Sequence, residues 1–211
     1  RGVTFPAEFI RDVLREADIT HISNEVTFDK DCPYPSSGYR NFILCSDPSY
    51  MELLQDVGVD VVEVTGDHLR DRGEAALLDT LAIYKANNLP YYGGGINAED
   101  ARQPVLMEVN GNKIAFMGCN GKREGKYPKA GVASPGPALC DYDFFDESTP
   151  DKKFDLIIGN PPWVSRKRNK VISAIKWCSS LELPMPSEEL AWAFIWKSLE
   201  HSKADGLIGF L

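Results

Sequence analysis

At 211 residues, 43% of them hydrophobic and 26% charged, the chain has the make-up of an ordinary globular protein, sized for one large domain or one domain plus a fragment. Its net charge of −8 is uneven: residues 1–150 carry 14 Lys+Arg against 24 Asp+Glu, and residues 151–211 carry 9 against 7. An acidic body does not attract a polyanion, which argues against a nucleic-acid surface on the first 150 residues.

Five cysteines (Cys32, Cys45, Cys119, Cys140, Cys178) form no C-x-x-C pair and leave one over in any pairing, so reduced thiols are the expectation. No run approaches the length that crosses a bilayer, and the first residues do not have a signal peptide's make-up. The start at Arg1, and the apolar run Gly206 to Leu211 with no closing turn, lead us to expect two cut ends.

In chain order, residues 5–17 read as an amphipathic helix with Phe9, Ile10, Val13, Leu14 and Ala17 on one side. Ile19 to Phe28 reads as a strand entering a turn-rich loop, and Pro48 to Val57 as a short helix. Val59 to Thr65, nearly all apolar and β-branched, suits a strand buried on both faces. Glu74 to Asn87 is a helix whose buried stripe is Leu77, Leu78, Leu81 and Tyr84. Val105 to Met117 is a hairpin turned at Asn110-Gly111, where a type I′ turn wants residues tolerant of positive φ.

After Cys119 the pattern weakens into Gly, Pro and Lys as far as Pro150. Phe154 to Ile158 is then a fresh buried strand. A helix starts at Pro186-Ser187-Glu188-Glu189 with Ser187 as N-cap and runs to about Ser202, and Gly206 ends it before a last strand. Strands alternating with helices make the fold class α/β.

Two stretches carry chemistry. In the first, a strand stops at Gly66-Asp67-His68 with Asp71 three residues on, at the carboxyl-terminal strand edge where ligands gather in α/β folds. Asp67 can ligate a divalent cation, His68 can protonate a leaving oxygen or bind metal, and Asp71 can orient the imidazole. Glu25, at another predicted strand end, adds a carboxylate. The plainer alternative is that Asp67 caps a turn and His68 packs neutrally against it.

Ala17 to Glu25, Val59 to Gly73, Tyr92-Gly93-Gly94-Gly95 with Ala101-Arg102-Gln103-Pro104, Asn110 to Asn120 and Ala133 to Asp141 together resemble the poly-γ-glutamate capsule synthesis (CapA-like) family, a branch of the calcineurin-type metallophosphoesterases. The resemblance implies a layered α/β fold and a divalent metal ion, with Glu25, Asp67 and His68 as ligands and Asp71 behind the histidine. Asp67 stands where that family usually has Asn, and Ser23 where it has Asn two places before the acid. The family's opening Gly-Asp motif would precede Arg1 and its later histidine ligands would follow residue 145, so the metal site is expected to be incomplete and inactive as it stands.

In the second stretch, Asp155 to Gly159 leads into Asn160-Pro161-Pro162-Trp163. The Asn160 side-chain oxygen and the Pro161 carbonyl are suited to accept the two hydrogens of an exocyclic amine. Pro161 and Pro162 stiffen the loop, and Trp163 can stack on an extruded base. The plainer alternative is a tight turn with a buried Trp. With Ser187 to Trp192 and Gly206 to Leu211 behind it, the stretch resembles part of an N6-adenine DNA methyltransferase. That implies a partial Rossmann-like fragment, S-adenosylmethionine as cofactor and DNA as partner, although the glycine-rich cofactor loop is not found before the strand. Arg166, Lys167, Arg168 and Lys170 either face phosphates or form a solvated loop.

The chain therefore reads as a composite: residues 1–147 a CapA-like domain, 148–153 a junction, and 154–211 a methyltransferase-like fragment. Three functions follow: capsule-polymer biosynthesis on a small-molecule or polymer substrate, DNA adenine methylation, or a non-catalytic fusion product. The two resemblances imply different places, cell envelope for the first and cytoplasm for the second.

Overall fold

The computed structural model describes residues 2–33, 43–120, 129–139, 153–159 and 172–210. The chain separates into two compact units that interleave in sequence: Arg1–Gln103 with Glu124–Ala138, and Pro104–Arg123 with Leu139–Leu211. The boundary expected at 147 follows the change of resemblance, whereas the spatial division falls at residues 103, 123 and 138.

The first unit is built on parallel strands β1 (His21–Ser23), β4 (Val61–Glu63) and β5 (Tyr91–Tyr92), with β4 in the middle. Two further short strands, β2 (Thr27–Phe28) and β3 (Cys45–Ser46), pair with each other in parallel. Register sets the faces of the main sheet. Ile22 lies beside Val62, and Val62 beside Tyr91, while His21 is opposite Val61 and Glu63 opposite Tyr92. Because side chains alternate along a strand, one face carries Ile22, Val62, Val64 and Tyr91, and the other His21, Val61, Glu63 and Tyr92.

The first face packs against α3 (Gly73–Ala86), whose Leu77, Leu81 and Tyr84 join Phe28, Met51, Leu69 and Leu89 in one core. Helix α3 has Glu74 in its first turn and Lys85 in its last, both complementing the helix dipole. Leu78, expected in the buried stripe, is 41% exposed. Thr80 is buried instead, and its hydroxyl accepts the Phe28 N–H at 2.8 Å while donating to the Ala76 carbonyl at 2.7 Å.

The N-terminal segment departs from its expected long helix. A 3-10 turn at Phe5–Ala7 precedes α1 (Arg11–Arg15), and Phe9 and Val13 are 87% and 72% exposed. The Thr20 hydroxyl donates to the Leu14 carbonyl at 2.6 Å, an oxygen that also accepts the Ala17 N–H at 3.3 Å in a 3-10 contact where α1 ends. Helix α2 (Met51–Asp56) is held to α1 by the Arg11–Asp56 ion pair.

The cysteines are not all reduced thiols as expected. Cys32 and Cys45, 13 apart in sequence, form a disulfide because the β2–β3 pairing returns the chain to the loop that follows β2. Cys119 is disulfide-bonded as well, and Cys178 is a free, buried thiol.

The second unit is a four-stranded sheet. Strands β6 (Val105–Val109) and β7 (Asn112–Phe116) form the expected hairpin, with Val109 opposite Asn112 and φ of 53° and 78° at Asn110 and Gly111. Strand β8 (Phe154–Gly159) lies between β7 and β9 (Ser202–Phe210), parallel to both, in the order β9-β8-β7-β6. Leu156, Ile157 and Ile158 lie beside Ile114, Ala115 and Phe116. The hairpin of the capsule-type stretch is thus in one sheet with the strand that leads into Asn160.

The Asp155 carboxylate fixes this end of the sheet. It takes Lys203 Nζ at 2.6 Å and the Lys113 N–H at 2.7 Å, and the lysine hydrogen bond holds the carboxyl below its usual range. Helices α4 (Ile172–Ser180) and α5 (Ala191–Leu199) contribute Ala174, Cys178, Ala193 and Phe194 to a second core with Leu190. Ser187 is not an N-cap. It sits at φ 56° in a 3-10 turn, and α5 starts at Ala191 after an uncapped Leu190. Strand β9 begins at Ser202, four residues before the glycine expected to end the helix.

Candidate functional site

Parallel β1 and β4 end side by side, so the residues that follow them emerge at one edge of the sheet. Asn24 continues the ladder by donating its N–H to the Glu63 carbonyl at 2.9 Å. Glu25 then meets the chain after β4 at Gly66. A Cβ built on Gly66 would lie 2.6 Å from both Cα and Cβ of Glu25, so only glycine permits the approach. This contact brings Glu25 to the segment that carries Asp67 and His68.

Leu69, with no exposed surface, pins that segment into the core. The turn on either side of it is closed by the Asp71 N–H to the His68 carbonyl at 3.1 Å. It sets the two side chains face to face, with His68 Nδ1 2.6 Å from Asp71 Oδ2. A carboxylate only accepts, so Nδ1 carries a proton, which makes Nε2 the nitrogen that can take up or release one. The same Asp71 oxygen accepts the Leu44 N–H at 2.8 Å. Arg72 turns the other way, onto the Asp29 carboxylate at 2.6 Å. That contact is the main reason the Asp29 carboxyl is held low.

Glu25, Asp67, His68 and Asp71 are therefore the residues of this edge, with His68 and Asp71 in direct contact. Among the described residues no group of three or more His, Cys, Asp and Glu side chains is placed to hold a metal ion. The described donors do not make a metal centre by themselves. Asn160, Pro161, Pro162 and Trp163 lie outside the described residues, although β8 positions Gly159 immediately before them.

Sequence reasoning missed a polar group on the sheet's second face. Glu63 is fully buried, accepts the Thr65 hydroxyl on Oε1, and has no hydrogen-bond partner on Oε2 among the described residues. Its neighbours are His21 and Tyr92, whose Nε2 and hydroxyl lie 2.8 Å apart. Burial lowers the His21 pKa against the opposing pull of Glu63, and burial with Glu63's charge raises that of Tyr92. The signal was a lone acid inside Val61-Val62-Glu63-Val64, read only as part of an apolar strand.

Comparisons with known proteins agree with both halves of the chain. The family model for the Eco57I restriction-modification methylase matches residues 129–211, and that for the bacterial capsule synthesis protein PGA_cap matches residues 2–153. The capsule biosynthesis protein CapA of Bacillus anthracis is 28% identical over 79 residues, which are 37% of this chain and 19% of that protein. The matched stretch thus spans about a fifth of that relative's length. With a methylase-like stretch at its C-terminal side, the chain belongs to the bacterial capsule synthesis protein PGA_cap family.

Proposed function

We propose that the first unit serves the synthesis of a capsule polymer of the poly-γ-glutamate type through a metallophosphoesterase-like edge. Its working pair is His68 and Asp71. The 2.6 Å contact between them carries this reading, because it leaves Nε2 free to move a proton to or from a phosphoester oxygen while Asp71 steadies the ring. Glu25 and Asp67 add negative charge beside it, suited to a divalent cation once further donors are supplied. With the described donors alone, the chain binds and orients but does not turn over.

The Cys32–Cys45 disulfide supports an oxidising setting such as the cell envelope, since disulfides persist there and are rare in the cytosol. Among the described residues no helix is long and apolar enough to cross a membrane.

The test is hydrolysis of bis(p-nitrophenyl) phosphate by the full chain with and without manganese. No turnover in either case is expected. Manganese-dependent turnover abolished by His68→Ala would keep the site and overturn the inactivity. Turnover unchanged by His68→Ala would remove the site.

A second reading, adenine methylation of DNA, is favoured by one observation: β8 is an interior parallel strand that ends directly before Asn160. Calorimetric titration with S-adenosylmethionine decides it: micromolar binding would support it for the second unit, and no binding would remove it.

A further inference from the structure

The segment between β2 and β3, described at residues 29–33 and 43–44, is fastened at those two ends to the candidate site by more than its own two-residue ladder. Asp71 and Arg72 are consecutive and grip opposite sides of it. The Asp71 carboxylate takes the Leu44 N–H at 2.8 Å, one residue before Cys45. Arg72 takes the Asp29 carboxylate at 2.6 Å, three residues before Cys32. Cys32 N–H in turn donates to the Asp29 carbonyl at 3.0 Å, and Asp29 N–H to the Ser46 carbonyl at 2.8 Å. The disulfide closes this strap at the two cysteines.

The β2–β3 pairing spans only Thr27↔Cys45 and Phe28↔Ser46. A ladder that short does not hold a register unaided. The cross-link removes the freedom that would let Leu44 drift from Asp71.

We propose that the Cys32–Cys45 disulfide is a positioning device for the His68–Asp71 pair, acting through the Leu44 N–H, so that the pair is fully assembled only in the oxidised chain. This rests on reading His68 and Asp71 as the working pair. The Asp71 oxygen that holds His68 Nδ1 is the one that accepts from Leu44, so a strap that swings away leaves that carboxylate free to rotate. Reduction is an exchange with a dithiol. Its thiolate attacks one cysteine sulfur and the Cys32–Cys45 bond breaks. Two electrons and two protons pass to the protein, giving two thiols and the oxidised reagent.

The experiment is exchange and imidazole NMR on the full chain, comparing the oxidised protein, the dithiothreitol-reduced protein, and the double variant Cys32→Ser with Cys45→Ser. Three signals are read: the Leu44 amide, the His68 Nδ1–H, and the Val62 amide, which donates to Pro90 inside the main sheet. The expected result is exchange faster by roughly tenfold or more at Leu44 and at His68 Nδ1–H, the scale of a hydrogen bond to a charged group, with Val62 unchanged. Unchanged exchange at Leu44, or loss at Leu44 with His68 unaffected, overturns the proposal. Loss at Val62 as well overturns it in favour of a general staple. These signals do not depend on turnover, so hydrolysis left unchanged by His68→Ala would sink the phosphoester reading and leave this one standing.

Discussion

Asp71 Oδ2 sits between two donors, His68 Nδ1 at 2.6 Å and the Leu44 N–H at 2.8 Å, so one carboxylate oxygen joins the candidate site to a segment 27 residues away in sequence. Removing it leaves both donors without their acceptor, in a side chain about four-fifths buried. Asp71→Ala is expected to lower stability by about 1–3 kcal/mol, read from the urea midpoint at constant slope. Asp71→Asn keeps one acceptor and should recover part of that loss. Equal stability of all three proteins would mean the pair is not formed in solution.

Glu63 presents the opposite case, a buried carboxylate with one oxygen lacking a hydrogen-bond partner among the described residues. Glu63→Gln keeps the shape and the Thr65 contact and removes the cost of burying a charge. We expect stability to rise at pH 7 by about 1 kcal/mol in urea unfolding. A loss of similar size would show that the carboxylate has a favourable partner, with the charge needed in place.

Two histidines have depressed pKa values in the fold, His21 and His201, both mainly through burial. The unfolded chain therefore takes up protons at these sites before the folded one does. Their contribution is present above the ordinary histidine pKa and is lost as pH falls through the depressed folded values. Stability should decline between pH 7.5 and pH 5, a window above the carboxylates Asp29, Asp47 and Asp155, all of which are held low by hydrogen bonds. His21→Gln should flatten the decline in the first unit's transition. An unaltered slope in that variant would remove His21 as a source.

Ala115 has no exposed surface and lies beside Ile157 across the β7–β8 pairing. Ala115→Asp places an unpaired carboxylate inside the sheet and should cost about 3 kcal/mol or more. Because β8 is held on that side by β7, trypsin should then cut sooner in residues 154–210. Cutting there at the wild-type rate would show that the tail folds without the hairpin.

Local signals were legible where chemistry and backbone agreed. The run Val59 to Thr65 announced an interior strand, and Asn110-Gly111 announced its own turn, because both depend on neighbours in sequence. The edge holding Glu25 and His68 was legible for the same reason: each acid or imidazole follows a strand end. What escaped depends on partners far along the chain. Phe9 and Val13 have helical spacing but no surface to cover them. Thr80 is buried, and Leu78 is not, because Phe28 needs an acceptor for its N–H. The Cys32–Cys45 bond follows from a two-residue parallel pairing with no pattern of its own, and odd cysteine arithmetic pointed away from it. That the hairpin 105–116 would pair with β8 was hidden because the change of resemblance near residue 147 drew the boundary elsewhere.

The interleaving of the two units also imposes an order in time. During synthesis the hairpin of β6 and β7 is complete about 40 residues before Phe154 leaves the ribosome. Over that interval Ile114, Ala115 and Phe116 present an unpaired apolar edge, the kind that recruits a strand from another molecule. Arrival of β8 closes the edge from within the same chain. A chain stopped between the two would carry that sticky edge permanently, which makes residues 154–159 the hairpin's own guard against aggregation.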